Sequence, residues 1–456
     1  MAIALFILYL VTLGFATAYS RFLRSACLSP VFLAALFLIY SAAGCAHLWI
    51  AYHFYPEHGD IWRLFQVSVD LKRELVAHPR LFFQDFVPDD FNIDMTGKYS
   101  RWSYLQYDII AGILLLLNFL SADNLYINTL LFCFITLYGH MTLYRMLSAV
   151  YPQHHLLCLL AAFLIPSLIF WTSVVHKEGM LFAVMSILFY CLWKLLDQKG
   201  SAISNPQGER TKMRPLRAVS GIMHLSPIKH NSRYILGFVL CLGAIFLLRK
   251  FLLISLIPSL AIWIIAEKTR YRKRWITLGI AVGSALAYWL AGQLHPSFDI
   301  LYQMSDRQSL FLQLEGGSRM ILPLLENSWK SLLSLFPYAL VNGLFMPLPG
   351  TGGQAIYSLF GIELLLMWAL IAYALYYGAS KKAWHWTGFE ACCLFFVISG
   401  CILTGYMIPF AGAIIRYRSI FYPFLLIPFL GILQYHPAVV KLNKWIGKII
   451  NTNYKK

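Results

Sequence analysis

Three short stretches of the chain bring together residue types that chemistry needs. The first is YHFYPEHGDIWRLF (52–65), where Glu57, His58 and Asp60 follow directly on a long apolar run. A carboxylate at a partly dehydrated lip can have its pKa raised enough to act as a general base. Asp60 and Glu57 are therefore candidate catalytic residues, with His58 a candidate substrate contact. The same residues also suit a solvated helix end within an aromatic belt.

The second stretch is PSLIFWTSVVHKEGM (166–180). Pro166 breaks or kinks its helix, and His176, Lys177 and Glu178 stand between two apolar runs with almost no loop. So tight a connection holds its charges at the membrane surface, where a cation meets a lipid phosphate; a Lys–Glu pair that simply marks a turn fits equally well. The third is AGAIIRYRSIFYPF (411–424). Arg416 and Arg418 precede the last apolar run, and two guanidinium groups there suit bidentate binding of a phosphate or pyrophosphate, although arginines that snorkel to headgroups would look the same. Two further acidic features stand apart. Glu363 lies inside an apolar run, where an acid marks function or a pairing between helices. Asp89, Asp90 and Asp94 in PDDFNID offer oxygen ligands to a divalent metal ion, though acidic loop residues commonly face solvent. No other cofactor has a motif: GxxxxGK[ST], HExxH and GxSxG are absent.

The elements that must position these residues are membrane spans. Of 456 residues, 59% are apolar and 12% charged, against about 45–50% and about 25% in soluble chains. The expected fold is an all-α polytopic integral membrane protein of about 11–12 transmembrane helices with large extracytoplasmic loops. Candidate spans are 2–19, 28–52, 104–120, 125–149, 154–174, 179–196, 234–249, 251–267, 275–293, 355–377, 388–409 and 419–435. The apolar stretch 331–347, interrupted by Pro337, Pro347 and Pro349, reads as a re-entrant or surface helix. All of 1–456 is one membrane domain. The nine cysteines show no CxxC or metal spacing and read as small buried hydrophobes. The first apolar run lacks the basic flank of a cleavable signal.

The net charge of +17 is distributed by membrane side. The 197–233 loop, KTRYRKR at 268–274, Lys381 with Lys382, and the 440–456 tail are basic and read as cytoplasmic. The 53–103 loop has eight acids against six bases, and 294–353 four against three; both read as extracytoplasmic. Strict alternation conflicts with this arrangement unless one segment fails to cross. The short 104–120 segment, which opens on SYLQYD, reads as a membrane-dipping helix of the outer loop, which leaves His176, Lys177 and Glu178 outside. The 197–233 loop reads as a linker touching anionic headgroups. Nucleic-acid binding is unsupported, because no binding fold or aromatic interleaving accompanies the bases.

At these residues the chain resembles the GT-C superfamily of polytopic membrane glycosyltransferases, in its bacterial surface-polysaccharide form. Gly59-Asp60 is similar to the acid at the start of that family's first outer loop. Pro166, Ser167, Phe170, Trp171, Ser173, Lys177 and Glu178 resemble its PS-hydrophobic-FW-x-S-x-x-x-KE run. Arg416, Tyr417, Arg418 and Pro423 resemble its late Arg-Tyr-Arg before a proline-containing span, and FPYALVNGLFMPLPG its proline-rich outer loop. The sequence departs from the pattern in lacking paired acids at Asp60, in placing His176 where a small residue is usual, and in an additional early span.

The resemblance implies transfer of a sugar from a polyprenyl-phosphate-linked donor to a glycan or lipid acceptor on the outer face of a bacterial plasma membrane. Asp60 would take the acceptor's proton, and Arg416, Arg418 and Lys177 would neutralise the departing phosphate. Membrane lipids are the surrounding partners, and the oligomeric state is open. A polysaccharide repeat-unit polymerase, where donor and acceptor are both lipid-linked, fits the same residues. A lipid or glycan transporter would favour inverted repeats and charges within spans, and the charges here gather at the outer lip.

Overall fold

The computed structural model describes residues 2–26, 28–55, 59–80, 82, 101–152, 154–196, 227–269, 271–295, 298–314, 316–351, 355–381, 386–434 and 436–450. Within them the chain is an all-α polytopic membrane protein. Helix follows helix, and the extended pairing among the described residues is one isolated bridge between Arg319 and Phe410. In chain order the helices are α1 (Ala2–Tyr19), α2 (Pro30–Phe54), α3 (Gly59–Ala77), α4 (Arg101–Ser121), α5 (Leu125–Val150), α6 (His155–Leu159), α7 (Pro166–Thr172), α8 (Lys177–Leu196) and α9 (Pro227–Lys268). There follow α10 (Lys273–Leu294), α11 (Ile300–Leu312), α12 (Trp329–Phe345), α13 (Ala355–Lys381), α14 (Gly388–Met407), α15 (Ala411–Ser419), α16 (Tyr422–Leu433) and α17 (Pro437–Ile450).

Eight of the described helices are long and apolar enough to cross a bilayer, and two bent pairs raise the number to ten. Both bends have a local cause. A π-helical turn over Leu160–Leu164 extends α6, and Ile165 is then extended before Pro166, whose missing N–H starts α7 on a new axis 42° away. Between α15 and α16 the bend is 57°, with Pro423 in the first turn of α16.

The longest helix, α9, is a hairpin. Its backbone leaves helical angles at Arg249 (φ −161°, ψ 81°). Tyr234 packs 6.4 Å from Tyr190, Arg249 reaches Glu178 at the other end of α8, and Trp263 returns to within 6.0 Å of Phe189. A straight helix from 234 to 263 would be about 43 Å long, so the two arms must run antiparallel along α8. The sequence-derived spans 234–249 and 251–267 are these arms.

Contacts sort the helix termini onto two ends. At one end Tyr55 meets Tyr357, Arg249 meets Glu178, and Arg416 meets Asp60. At the other, Tyr151 donates to Glu390, the Leu156 amide to Asn443, Lys273 to the Trp386 carbonyl, and the Ser29 amide to the Ile450 carbonyl. The second end gathers Arg233, Lys268, Arg272, Lys273, Arg274, Lys381 and the α17 lysines 441, 444 and 448. We call it the basic end and the first the lip. Helices α3 and α4 pack together at the lip, where Asn118 donates to Ser68 at 2.9 Å, and Asn128 of α5 donates to Asn118 at 2.6 Å. The apolar part of α4 covers only Ile109–Ser121.

Helix α12 is re-entrant. Its Leu332 carbonyl accepts from Tyr406 near the lip end of α14, Asn342 donates to the Gly405 carbonyl, and Leu344 lies beside Trp368 midway along α13. The chain then climbs back to the lip at Ala355. This descent works because two glycines let backbones touch, as small residues commonly do between membrane helices. A Cβ at Gly405 would lie 2.0 Å from the Ala339 carbonyl oxygen, and one at Gly343 2.0 Å from that of Cys401. Nothing lies within 4 Å of a Cβ at Gly279 in α10. Gly405→Ala should therefore destabilise the protein by about 1–3 kcal/mol through overpacking, read as thermal unfolding in detergent, whereas Gly279→Ala should not. Equal responses would refute the close docking of α12.

Candidate functional site

The lip site is assembled from four backbone breaks. The α7–α8 connection delivers His176, Lys177 and Glu178; the start of α3 delivers Asp60; the α9 hairpin turn delivers Arg249; and α15, held by the bend before α16, delivers Arg416 and Tyr417. Glu178 lies in the first turn of α8, where the helix dipole favours a negative charge. The neighbouring Gly179 allows this turn to sit deep: a Cβ there would come within 2.8 Å of the Thr172 carbonyl oxygen.

Glu178 is completely buried and is the hub of the site. Its Oε1 accepts from Arg249 at 2.5 Å and lies 3.7 Å from Arg416 Nε, while Oε2 meets His176 Nδ1. Arg416 extends the network outward, with one terminal nitrogen 3.2 Å from His176 Nε2 and 3.4 Å from Asp60 Oδ2. Asp60 is the group that faces out, its side chain 55% exposed. Aromatic rings wall the arginines: Arg249 lies 3.9 Å over Tyr417, and Arg416 sits 5.3 Å from Tyr417 and 5.9 Å from Trp171. Behind Trp171, His47 stacks on Phe170 and bonds the Phe170 carbonyl at 3.0 Å.

Protonation follows from the donor inventory. Arginine only donates, so His176 Nε2 must accept; the ring is then neutral, with its proton on Nδ1 directed at Glu178. Burial of the ring holds its pKa below the ordinary 6.5 and outweighs the opposing pull of Glu178, while Arg416 and Lys177 add to the depression. For Asp60, partial burial acts upward, but Arg416 above all, aided by Lys177, holds the carboxyl below its ordinary 3.8. The site therefore gathers Lys177, Arg249 and Arg416 around two carboxylates, one of which is open to the outside. Among the described residues, the buried Arg416 Nε and Trp171 Nε1 have no acceptor within hydrogen-bonding distance.

Of the residues singled out by sequence, Asp60, His176, Lys177, Glu178 and Arg416 come together. Arg418 does not join them. It is buried on the other side of α15, donating to the carbonyls of Gly343 (3.1 Å) and Met346 (2.7 Å) at the end of the re-entrant helix. Its task in this fold is to satisfy that helix terminus rather than to face the lip. Glu363 also lies apart, accepting from the backbone and hydroxyl of Ser167 at 3.2 and 3.1 Å. Glu57, His58, Asp89, Asp90 and Asp94 lie outside the described residues, so the proposed divalent-metal ligands do too; among the described residues no group of three or more His, Cys, Asp or Glu side chains gathers as a metal site. The residue that sequence reasoning missed is Arg249. Its signal was available: an Arg-Lys pair between two apolar runs has the same form as the Lys177–Glu178 turn.

Two outcomes follow. Glu178→Gln removes the shared partner of two arginines, and breaking a buried ion pair costs about 3–5 kcal/mol; a fall in thermal stability of that order is expected, and an unchanged melting curve would contradict the hub. Because the His176 pKa is depressed on folding, the unfolded chain takes up a proton as pH falls below about 6.5 and the folded chain resists. Stability should be flat above that pH and decline below it, and His176→Gln should flatten the decline between about pH 6.5 and 5. No family model matches the chain, and no curated protein or solved structure matches it either, so the meaning of the site rests on its geometry.

Proposed function

We propose that the protein is a membrane glycosyltransferase that moves a sugar from a polyprenyl-phosphate-linked donor to a glycan or lipid acceptor on the extracytoplasmic face of a bacterial plasma membrane. The observation that carries this reading is a single half-exposed carboxylate, Asp60, held by Arg416 at the edge of a cluster that also gathers Arg249 and Lys177. Sugar transfer needs both halves of that arrangement within reach of one bond. The outward orientation is supported by the opposite end, where the described Lys and Arg residues accumulate as they do on cytoplasmic faces.

In the proposed reaction the acceptor hydroxyl oxygen forms a bond to the anomeric carbon while the bond from that carbon to the phosphate oxygen breaks. The hydroxyl proton passes to Asp60, and the electron pair of the broken bond leaves with polyprenyl phosphate. Asp60 is ionised at neutral pH, so it is always ready to receive a proton. Its depressed basicity suits a proton that moves late, when the hydroxyl has become acidic by bonding. Arg416, Arg249 and Lys177 offset the charge that builds on the phosphate, and the unused Arg416 Nε is a donor available to it. With no second exposed carboxylate among the described cluster residues, the arrangement favours single displacement with inversion.

The test is mass spectrometry of polyprenyl-linked glycans from cells lacking the gene, complemented by wild type or Asp60→Asn. Loss of a general base costs about 10²–10⁴-fold, so the variant should insert normally yet leave the glycan one sugar short. Accumulation of single complete repeat units would instead identify a polymerase, and glycans unchanged by deletion would sink the proposal.

A further inference from the structure

The second chemically distinctive place lies at the basic end, far from the lip. Helix α10 contributes no buried residue and packs loosely, so a groove of about 940 Å³ opens between it and α14. That is at the upper end of small-molecule pockets, roughly 300–1,000 Å³. The body of the groove is carbon: Leu278, Ala281, Leu394, Phe395, Ile398 and Ile402 line it. Its two hydroxyls are already used, since Thr277 donates to the Lys273 carbonyl at 3.0 Å and Ser399 to the Phe395 carbonyl at 2.6 Å.

The mouth has the opposite character. Arg272, Lys273 and Arg274 stand there with Tyr271 and Trp386, and among the described residues no carboxylate lines the groove. Lys273 ties α10 to the start of α14 through the Trp386 carbonyl at 2.8 Å. The nearby Glu390 is turned inward, engaged with Tyr151 and the Thr387 amide, and Glu267 is exposed outside the lining. An apolar slot within the hydrocarbon layer, closed at the headgroup level by three cations, has the polarity of one anionic lipid molecule.

We infer that the groove between α10 and α14 is a binding site for an anionic phospholipid of the basic-side leaflet, with its acyl chains along Leu278, Ala281 and Ile398 and its phosphate at Arg272 and Arg274. This site is separate from the proposed transfer chemistry and stands whether or not that reading holds. Its charge separates it from an ordinary bilayer contact: basic pockets between transmembrane helices on the cytoplasmic side recognise acidic headgroups, each base near the surface contributing about 1 kcal/mol.

The test uses the full chain in detergent, with phosphatidylglycerol and phosphatidylcholine of identical acyl chains as probes. Native mass spectrometry of an equimolar mixture should show preferential retention of phosphatidylglycerol. Arg272→Ser with Arg274→Ser should weaken that preference about 25-fold, each base being worth about fivefold. Ala281→Trp, which fills the slot and leaves the cations in place, should reduce retention of the acidic lipid as well. Thermal unfolding of each variant without added lipid separates a folding defect from a lost site. Equal retention of both lipids by the wild type, or a preference that survives both sets of substitutions, would overturn the inference. So would protection by inorganic phosphate equal to that by phosphatidylglycerol, because the acyl slot would then play no part.

Discussion

The organisation of the lip rests on one buried carboxylate. Glu178 has no exposed surface, and an isolated ionised carboxylate in a low-dielectric interior costs far more than a protein's net stability. It persists because Arg249 and His176 each bring a hydrogen to it and Arg416 a positive charge 3.7 Å away. Each partner comes from a different element, so the single charge obliges the α9 hairpin turn, α15 and the α7–α8 connection to meet at one point. The compensation runs both ways, since two arginines at membrane depth need an anion as much as Glu178 needs cations.

The same logic of satisfied polar groups explains the broken helices. A membrane helix that ends within the protein leaves carbonyls without water. The re-entrant α12 ends at such a depth, and Arg418 supplies donors to the Gly343 and Met346 carbonyls. The two arginines of the Arg-Tyr-Arg motif therefore divide their labour: Arg416 faces the lip and Arg418 holds up the floor beneath it. Tyr417 between them lies under Arg249, so the motif also locks the hairpin turn.

The spans were legible in the sequence because their signal is one-dimensional: about 20 apolar residues cross a bilayer whatever they pack against. The two arms of α9 were separable for the same reason, Arg249 and Lys250 interrupting an otherwise unbroken apolar run. The lip cluster was partly legible, since Lys177-Glu178 and Arg416 defy the membrane's aversion to charge. The roles within it were not. Arg416 and Arg418 have the same side chain two residues apart, and only the direction in which α15 turns them separates a site residue from a structural one. Arg249 marked only a break between two apolar runs; its partner is 71 positions away, and no local pattern records that pairing.

Burial divides the two acids of the cluster, one sealed inside it and one open to the outside, which is the division the proposed chemistry needs. Both touch Arg416, so attraction to a cation does not distinguish them. Glu178 spends its oxygens on Arg249 and His176 and is sealed from the outside, so a proton from an incoming hydroxyl has no path to it. Asp60 makes one long contact of 3.4 Å and keeps more than half its side chain exposed. It is also the acid held most lightly by the fold: moving it costs one stretched hydrogen bond, while moving Glu178 would leave two arginines uncompensated. A group that must gain a proton in each turnover belongs where its charge can change without unravelling the network. The rigid acid then positions Arg416, Arg416 positions Asp60, and the proton transfer proposed above would fall to the outermost member of the chain.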